Sequence, residues 1–231
     1  MSAIYLIRHG QAGSRENYDL LSDTGRRQAR LLGEYFCVAG IRFTAAYAGS
    51  MRRQRETAEL VLGGLSEAPE LTLDARWDEF SLEGLWEFLA PRLLEDSNEF
   101  RTQHERFLSM KPDGQRTITA CDVELIRAWI SDSYRCPDVE PWPEFRKRTE
   151  APFADLMRHG PGETVAVFTS ATPTAIWCAL ALGLEEQNLF QIAAVLLNSN
   201  FTTFRIRDDA LRLFSLNNTP HLIDPALRTF Y

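Results

Sequence analysis

Two short apolar runs, Ile4-Tyr5-Leu6-Ile7 and Val165-Ala166-Val167-Phe168, constrain the fold of this chain most strongly. Neither alternates with polar residues, which is the pattern of a strand buried on both faces, as in a parallel sheet covered by helices. Helical patterns follow both. Ser22 is a natural cap for the first helix, and Leu31, Leu32, Tyr35 and Phe36 give it an apolar face. Gly40 turns the chain towards a strand at 43–47, a helix spans about 52–62, and Leu71-Thr72-Leu73 reads as another short strand. The second apolar run leads into a helix over 172–182 that Gly183 ends. Residues 201–207 and 211–216 alternate around Asp208-Asp209, as in a hairpin at a sheet edge. Strands separated by helices predict an α/β fold with a mainly parallel central sheet and helices on both faces.

Between 85 and 135 the strand–helix alternation is interrupted by helical segments broken at Pro91 and Pro112-Asp113-Gly114. This stretch reads as an inserted helical cap, with Trp86, Phe88, Phe100, Phe107 and Trp129 available for packing. Helical periodicity resumes over 142–157. No repeat or linker divides the chain, so a single domain over 1–231 is expected.

The 231 residues, 45% hydrophobic, suffice for a substantial core, and the net charge of −7 argues against nucleic acid or an anionic membrane as partner. No apolar run approaches ~20 residues, so no membrane span is expected, and no signal peptide is recognisable at residues 4–7. Cys37, Cys121, Cys136 and Cys178 are scattered without a CxxC pair. That spacing suggests neither a zinc site nor a disulfide framework, and with the other features points to the cytoplasm.

Arg-His-Gly occurs twice. Arg8-His9-Gly10 sits at the carboxyl end of an apolar strand, where open α/β sheets place ligands. Arg158-His159-Gly160 ends a helical pattern before Pro161, with Gly160 suited to the position after the last turn and both basic residues suited to the negative helix end. The first copy is the functional candidate.

Three further segments extend the case. Leu21-Ser22-Asp23-Thr24-Gly25-Arg26-Arg27-Gln28-Ala29 resembles the Leu-(Ser/Thr)-x-x-Gly-x-x-Gln-Ala segment of histidine phosphatases, the phosphoglycerate mutase-like superfamily. The stretch Tyr47-Ala48-Gly49-Ser50-Met51-Arg52-Arg53-Gln54-Arg55-Glu56-Thr57-Ala58-Glu59 resembles that family's Tyr-Ser-Ser-Pro-Leu-x-Arg-Ala-x-Gln-Thr-Ala-Glu. Trp77-Asp78-Glu79 resembles its Leu-x-Glu segment, and 165–184 follows its second-histidine strand and helix. The resemblance implies a three-layer α/β sandwich, no metal and no organic cofactor. It makes His9 the phosphate-accepting nucleophile, Arg8 and Arg53 phosphoryl-binding residues, and Glu79 the proton donor, with Glu83 a rival. The family often carries an asparagine that touches phosphate a few residues after Arg-His-Gly; Arg15 takes that position here, with Asn17 slightly beyond, and Gln11 and Ser14 are other candidate phosphate donors in this loop.

The clearest departure is Phe168-Thr169-Ser170-Ala171-Thr172, set against Val-Ser-His-Gly-Gly. Ser170 stands at the second histidine, as in a variant subgroup with Thr-Ser-Gly-Gly-Pro. Asn217-Asn218-Thr219-Pro220-His221-Leu222 resembles an ending seen in relatives and offers His221 as a possible substitute, although such endings also accompany sites with both histidines. These residue types suit phosphoryl transfer, in which arginine forks neutralise the dianion, a neutral imidazole attacks, and a carboxylic acid protonates the leaving oxygen. Two functions follow as expectations. One is a phosphatase acting on a small phosphorylated substrate, with a mutase as a close variant. The other is a weak or inactive relative that binds a phosphorylated ligand or protein.

Overall fold

The computed structural model describes residues 2–13, 18–109, 119–134, 138–160, 162–208 and 210–230. Strand β1 (Ser2–Arg8) leads through the Arg8-His9-Gly10 turn and a loop to α1 (Asp23–Val38), followed by β2 (Ala45–Ala48), α2 (Arg52–Leu62) and β3 (Leu71–Leu73). Helices α3 (Leu82–Gly84), α4 (Ala90–Asp96), α5 (Asn98–Ser109) and α6 (Ala120–Ile130) come next, with a π-helical stretch, Leu85–Leu89, between α3 and α4. The chain returns through α7 (Trp142–Glu150) and α8 (Pro152–Leu156) to β4 (Thr164–Thr169), α9 (Ala171–Leu182), α10 (Leu189–Val195), β5 (Phe201–Arg207) and β6 (Ala210–Asn218).

The six strands form one mixed sheet in the order β3-β2-β4-β1-β5-β6. The first four are parallel, and β5 and β6 add an antiparallel edge hairpin. Both apolar runs lie at its centre, with Ile4 to Ile7 opposite Val165 to Phe168. Alternation divides them between two cores. Ile7, Ala166 and Phe168 pack with Leu32, Phe36, Ala58 and Val61 of α1 and α2. On the other side, Trp177 of α9 meets Phe204 of β5 edge-on, at 6.2 Å between ring centres. Helices therefore cover both sheet faces, as the unbroken apolar strands require.

The residues form two compact units, one comprising 1–79 and 148–231 and the other Phe80–Lys147. The second unit extends beyond the 85–135 stretch expected as the cap, because Phe80, Trp142 and Phe145 gather around Trp129. Trp86, Phe100, His104 and Phe107 form a second aromatic group within it. The break expected at Pro112-Asp113-Gly114 lies outside the described residues. Among the described residues, no helix is long and apolar enough to cross a membrane.

The helical pattern over 142–157 resolves into two helices and ends within a residue of its periodicity, but the role expected of Arg158-His159-Gly160 at the helix end is corrected. Helix α8 stops at Leu156, and Arg158 pairs with Asp155 at 3.0 Å. Gly160 does not take up a left-handed conformation; Gly162 does, at φ 94°. His159 instead lies between Tyr47 Oη, 3.3 Å from its Nε2, and Glu163, 2.5 Å from its Nδ1. Two side chains make better partners for the imidazole than a helix end exposed to water.

Candidate active site

His9 follows β1 and is buried, with its backbone N–H donating to Thr169 O at 3.0 Å. That bond ties it to the end of the neighbouring parallel strand, β4. The imidazole Nδ1 lies 2.8 Å from Gly10 O. A carbonyl only accepts, so Nδ1 carries the proton and Nε2 presents its lone pair. Burial, reinforced by the cationic Arg53 and Arg8, holds the His9 pKa well below 6.5 despite the opposing Gly10 hydrogen bond. The ring is neutral and of defined tautomer.

Close backbone approach shapes the turn. A side chain at Gly10 would lie 2.5 Å from Gly25 O, and one at Gly25 would lie 2.1 Å from Gln11 O. Only hydrogen fits at either place, which is why Arg8-His9-Gly10 and the Leu21-to-Ala29 segment belong together. Gln28 strengthens the junction, with Oε1 accepting from Gln11 N and Nε2 donating to Leu227 O.

Arg53, in the first turn of α2, is buried. Its Nε donates to His9 Nε2 at 3.3 Å, its Nη1 pairs with Asp19 at 3.0 Å, and its guanidinium lies 5.0 Å from the centre of the Tyr18 ring. Asp19 also accepts from Arg52 N at 3.1 Å. A carboxylate thus lies against both the arginine and the positive end of α2, in the surroundings a phosphoryl group would favour. Arg8, buried at the end of β1, donates through Nη1 to Leu196 O.

Glu79 Oε2 accepts from Thr172 N at 3.0 Å. Arg148 donates to the carbonyls of Ala75, Arg76 and Asp78, so the turn that presents Glu79 is itself held. Glu79 and His9 belong to the same compact unit, whereas Glu83 is exposed in the other.

Ser170 is the N-cap residue of α9, yet its side chain makes no capping bond. Its Oγ accepts from Gln54 Nε2 at 2.9 Å. The helix start offers a phosphoryl group fewer backbone donors than an ordinary helix N-terminus, because Thr172 N is taken by Glu79 and Pro173 has no N–H. Gln11 Oε1 accepts from Ser22 Oγ at 2.8 Å, so this side chain is tied to the α1 cap. Ser14, with Arg15 and Asn17, lies outside the described residues. Among the described residues, no group of three or more His, Cys, Asp or Glu side chains is placed to hold a metal.

The model of the histidine phosphatase superfamily (branch 1) matches residues 4–121 and 112–219. The chain belongs to that family. Among curated relatives, the mitochondrial serine/threonine-protein phosphatase Pgam5 of Caenorhabditis briggsae is 26% identical over 144 residues, covering 58% of this chain and 51% of the relative. The chain spans about half the length of the curated relatives it matches. Two solved structures share its fold. A mutant phosphoserine phosphatase from Entamoeba histolytica in complex with phosphoserine has a TM-score of 0.63 at 18% identity, over 96% of this chain and 100% of that one. YhfR of Bacillus stearothermophilus has a TM-score of 0.67 at 17% identity, over 96% and 99%.

Several residues around this site carry no signal in the sequence by themselves. Thr57 Oγ1 accepts from Gly10 N at 3.1 Å and donates to Arg53 O at 2.7 Å, so one hydroxyl links the turn to α2. Ser199 is buried in a left-handed conformation, φ 59°, and its N–H donates to His9 O at 3.1 Å. Such a backbone in a residue with a side chain costs about 1–2 kcal/mol, offset here by fixing the histidine. His221 Nε2 lies 3.1 Å from Ser199 Oγ, which places His221 behind the His9 backbone. Position within a motif offered a signal for Thr57 and His221, and none for Ser199.

Proposed function

We propose that this chain is a phosphatase that hydrolyses small phosphate monoesters through a phosphohistidine on His9. The observation that carries the reading is the neutral imidazole, protonated at Nδ1 towards Gly10 O, whose Nε2 meets the Arg53 guanidinium. The names of several relatives and neighbours, phosphatases for phosphoserine, for protein serine/threonine and for glucosyl-3-phosphoglycerate, lend it support.

In this scheme the phosphoryl oxygens lie against Arg53, Arg8 and Ser170, displacing Asp19 from Arg53. The His9 Nε2 lone pair forms the N–P bond as the ester P–O bond breaks, and Glu79 in its acid form passes its proton to the leaving oxygen. Water then attacks phosphorus, Glu79 takes up its proton, and the N–P bond electrons return to Nε2. Inorganic phosphate and neutral His9 result.

Rapid quenching with a radiolabelled phosphate monoester tests the scheme. Acid-labile, base-stable label should accumulate on the parent protein, much less on Arg8→Ala and none on His9→Ala. Turnover without such label would overturn the phosphohistidine step.

A second reading, a protein that binds phosphorylated ligands with little turnover, draws on two observations. An uncharged Ser170, whose Oγ accepts from Gln54, stands at the second-histidine position, and Asp19 occupies Arg53. Tight phosphate binding with hydrolysis no faster than in His9→Ala would favour it.

A further inference from the structure

The environment of Ser170 assigns a role to a residue outside the motif positions that carry the chemistry. A serine at an N-cap ordinarily turns its oxygen to the second or third helical N–H. Here the second, Thr172 N, is held by Glu79, the third residue is Pro173, and Ser170 Oγ is drawn instead to Gln54 Nε2 at 2.9 Å. Gln54 is fully buried, and its Nε2 also donates to Trp77 O at 3.1 Å. Because a carbonyl only accepts, that bond fixes which end of the Gln54 amide carries the hydrogens. Trp77 O is a firm anchor: it also accepts from Thr169 Oγ1 at 2.7 Å, and the Trp77 ring packs on Trp177 at 5.2 Å. Space for the amide comes from Gly49, where a side-chain carbon would lie 1.9 Å from Gln54 Oε1. Gly49, Gln54 and Ser170 are three positions at which this chain departs from the patterns quoted above, and they meet in space.

We propose that Gln54 is a positioning residue for Ser170. By making Ser170 Oγ an acceptor on one side, it commits the hydroxyl proton to the other side, where it donates to a phosphoryl oxygen. The buried pair acts as a neutral donor at the end of β4, beside the His9 strand. This assignment rests on the phosphoryl site proposed above, but not on turnover.

A double-mutant cycle on Gln54→Met and Ser170→Ala tests it, since methionine keeps the side-chain length while losing the amide. Inorganic phosphate binding by calorimetry and aryl phosphate hydrolysis are measured on the same preparations. Loss of a preorganised donor in Ser170→Ala should lower kcat/KM by about 100-fold, and Gln54→Met should lower it by about 10-fold. The double variant should match Ser170→Ala in both hydrolysis and phosphate affinity, because Gln54 acts only through the hydroxyl. Multiplicative losses would overturn the proposal and leave Gln54 a packing residue. Gln54→Glu adds a second criterion: its carboxylate would accept the Ser170 proton, so activity and phosphate affinity should fall to the Ser170→Ala level, and parental values would overturn the proposal. If the parent binds phosphate without hydrolysing aryl phosphates, the hydrolytic reading fails while the binding cycle still decides the role of Gln54. If millimolar phosphate does not bind the parent, both fail.

Discussion

The reactivity of His9 depends on which nitrogen carries the proton. With Nδ1–H committed to Gly10 O, and with burial and two guanidiniums opposing protonation, the ring should stay neutral well below the ordinary imidazole range. Nitrogen-15 shifts of the imidazole, followed downwards from neutral pH, should report the Nδ1–H tautomer; a midpoint at or above the ordinary 6.5 would contradict the geometry. Glu79→Gln should slow esters with poor leaving groups far more than activated aryl esters, because an amide keeps the acceptor for Thr172 N but has no acidic proton. Equal losses across leaving groups would give Glu79 a structural role. Asp19→Asn should tighten phosphate binding by about 3- to 10-fold, since it removes a competing anion from Arg53 and the start of α2. Weaker binding in that variant would mean that Asp19 orients Arg53 rather than competing with substrate.

At the scale of elements, the site is a junction of strand ends with helix starts. The Arg8-His9-Gly10 turn is clamped by α2 through Thr57 and by α1 through the Gly10–Gly25 approach. Gly25→Ala would place a carbon 2.1 Å from the Gln11 carbonyl oxygen and force backbone apart. It should destabilise the protein by about 1–3 kcal/mol in urea unfolding and weaken phosphate binding with it. A neutral effect on both would show that the turn relaxes without cost. The apolar runs, the helices after them and the edge hairpin were legible in residue pattern alone, because burial on both faces of a strand and on one face of a helix leaves a period in the sequence. The surroundings of His159 were not. His159 found its partners in Tyr47 and Glu163, and Tyr47 is more than a hundred residues away in the chain.

Across the whole molecule, buried neutral histidines couple stability to pH. Burial lowers the His221 pKa to about 4, against 6.5 for the unfolded chain, and the His9 pKa is also depressed. Between these values the unfolded state binds more protons, so stability is complete above about 6.5 and falls as the pH drops towards 4. His221 alone accounts for roughly 3 kcal/mol of that loss. Urea unfolding across this range should show a steeper acid loss in the parent than in His221→Gln. Parallel curves would remove His221 as a source.

Residue pattern and motif spacing determined the α/β class, the two central strands, and the candidacy of His9, Arg53 and Glu79, because each leaves a local imprint: a hydrophobic period or an ordered string of residue types. Tertiary structure alone decided that Asp19 faces Arg53, that Ser199 holds His9 from behind, and that Gln54 rather than the α9 backbone donates to Ser170. It also decided the protonation state of His9, which depends on burial and on the nearby charges of Arg8 and Arg53. The reason is physical: a hydrogen bond or a desolvation cost belongs to groups brought together from distant parts of the chain, and no window of sequence contains both partners.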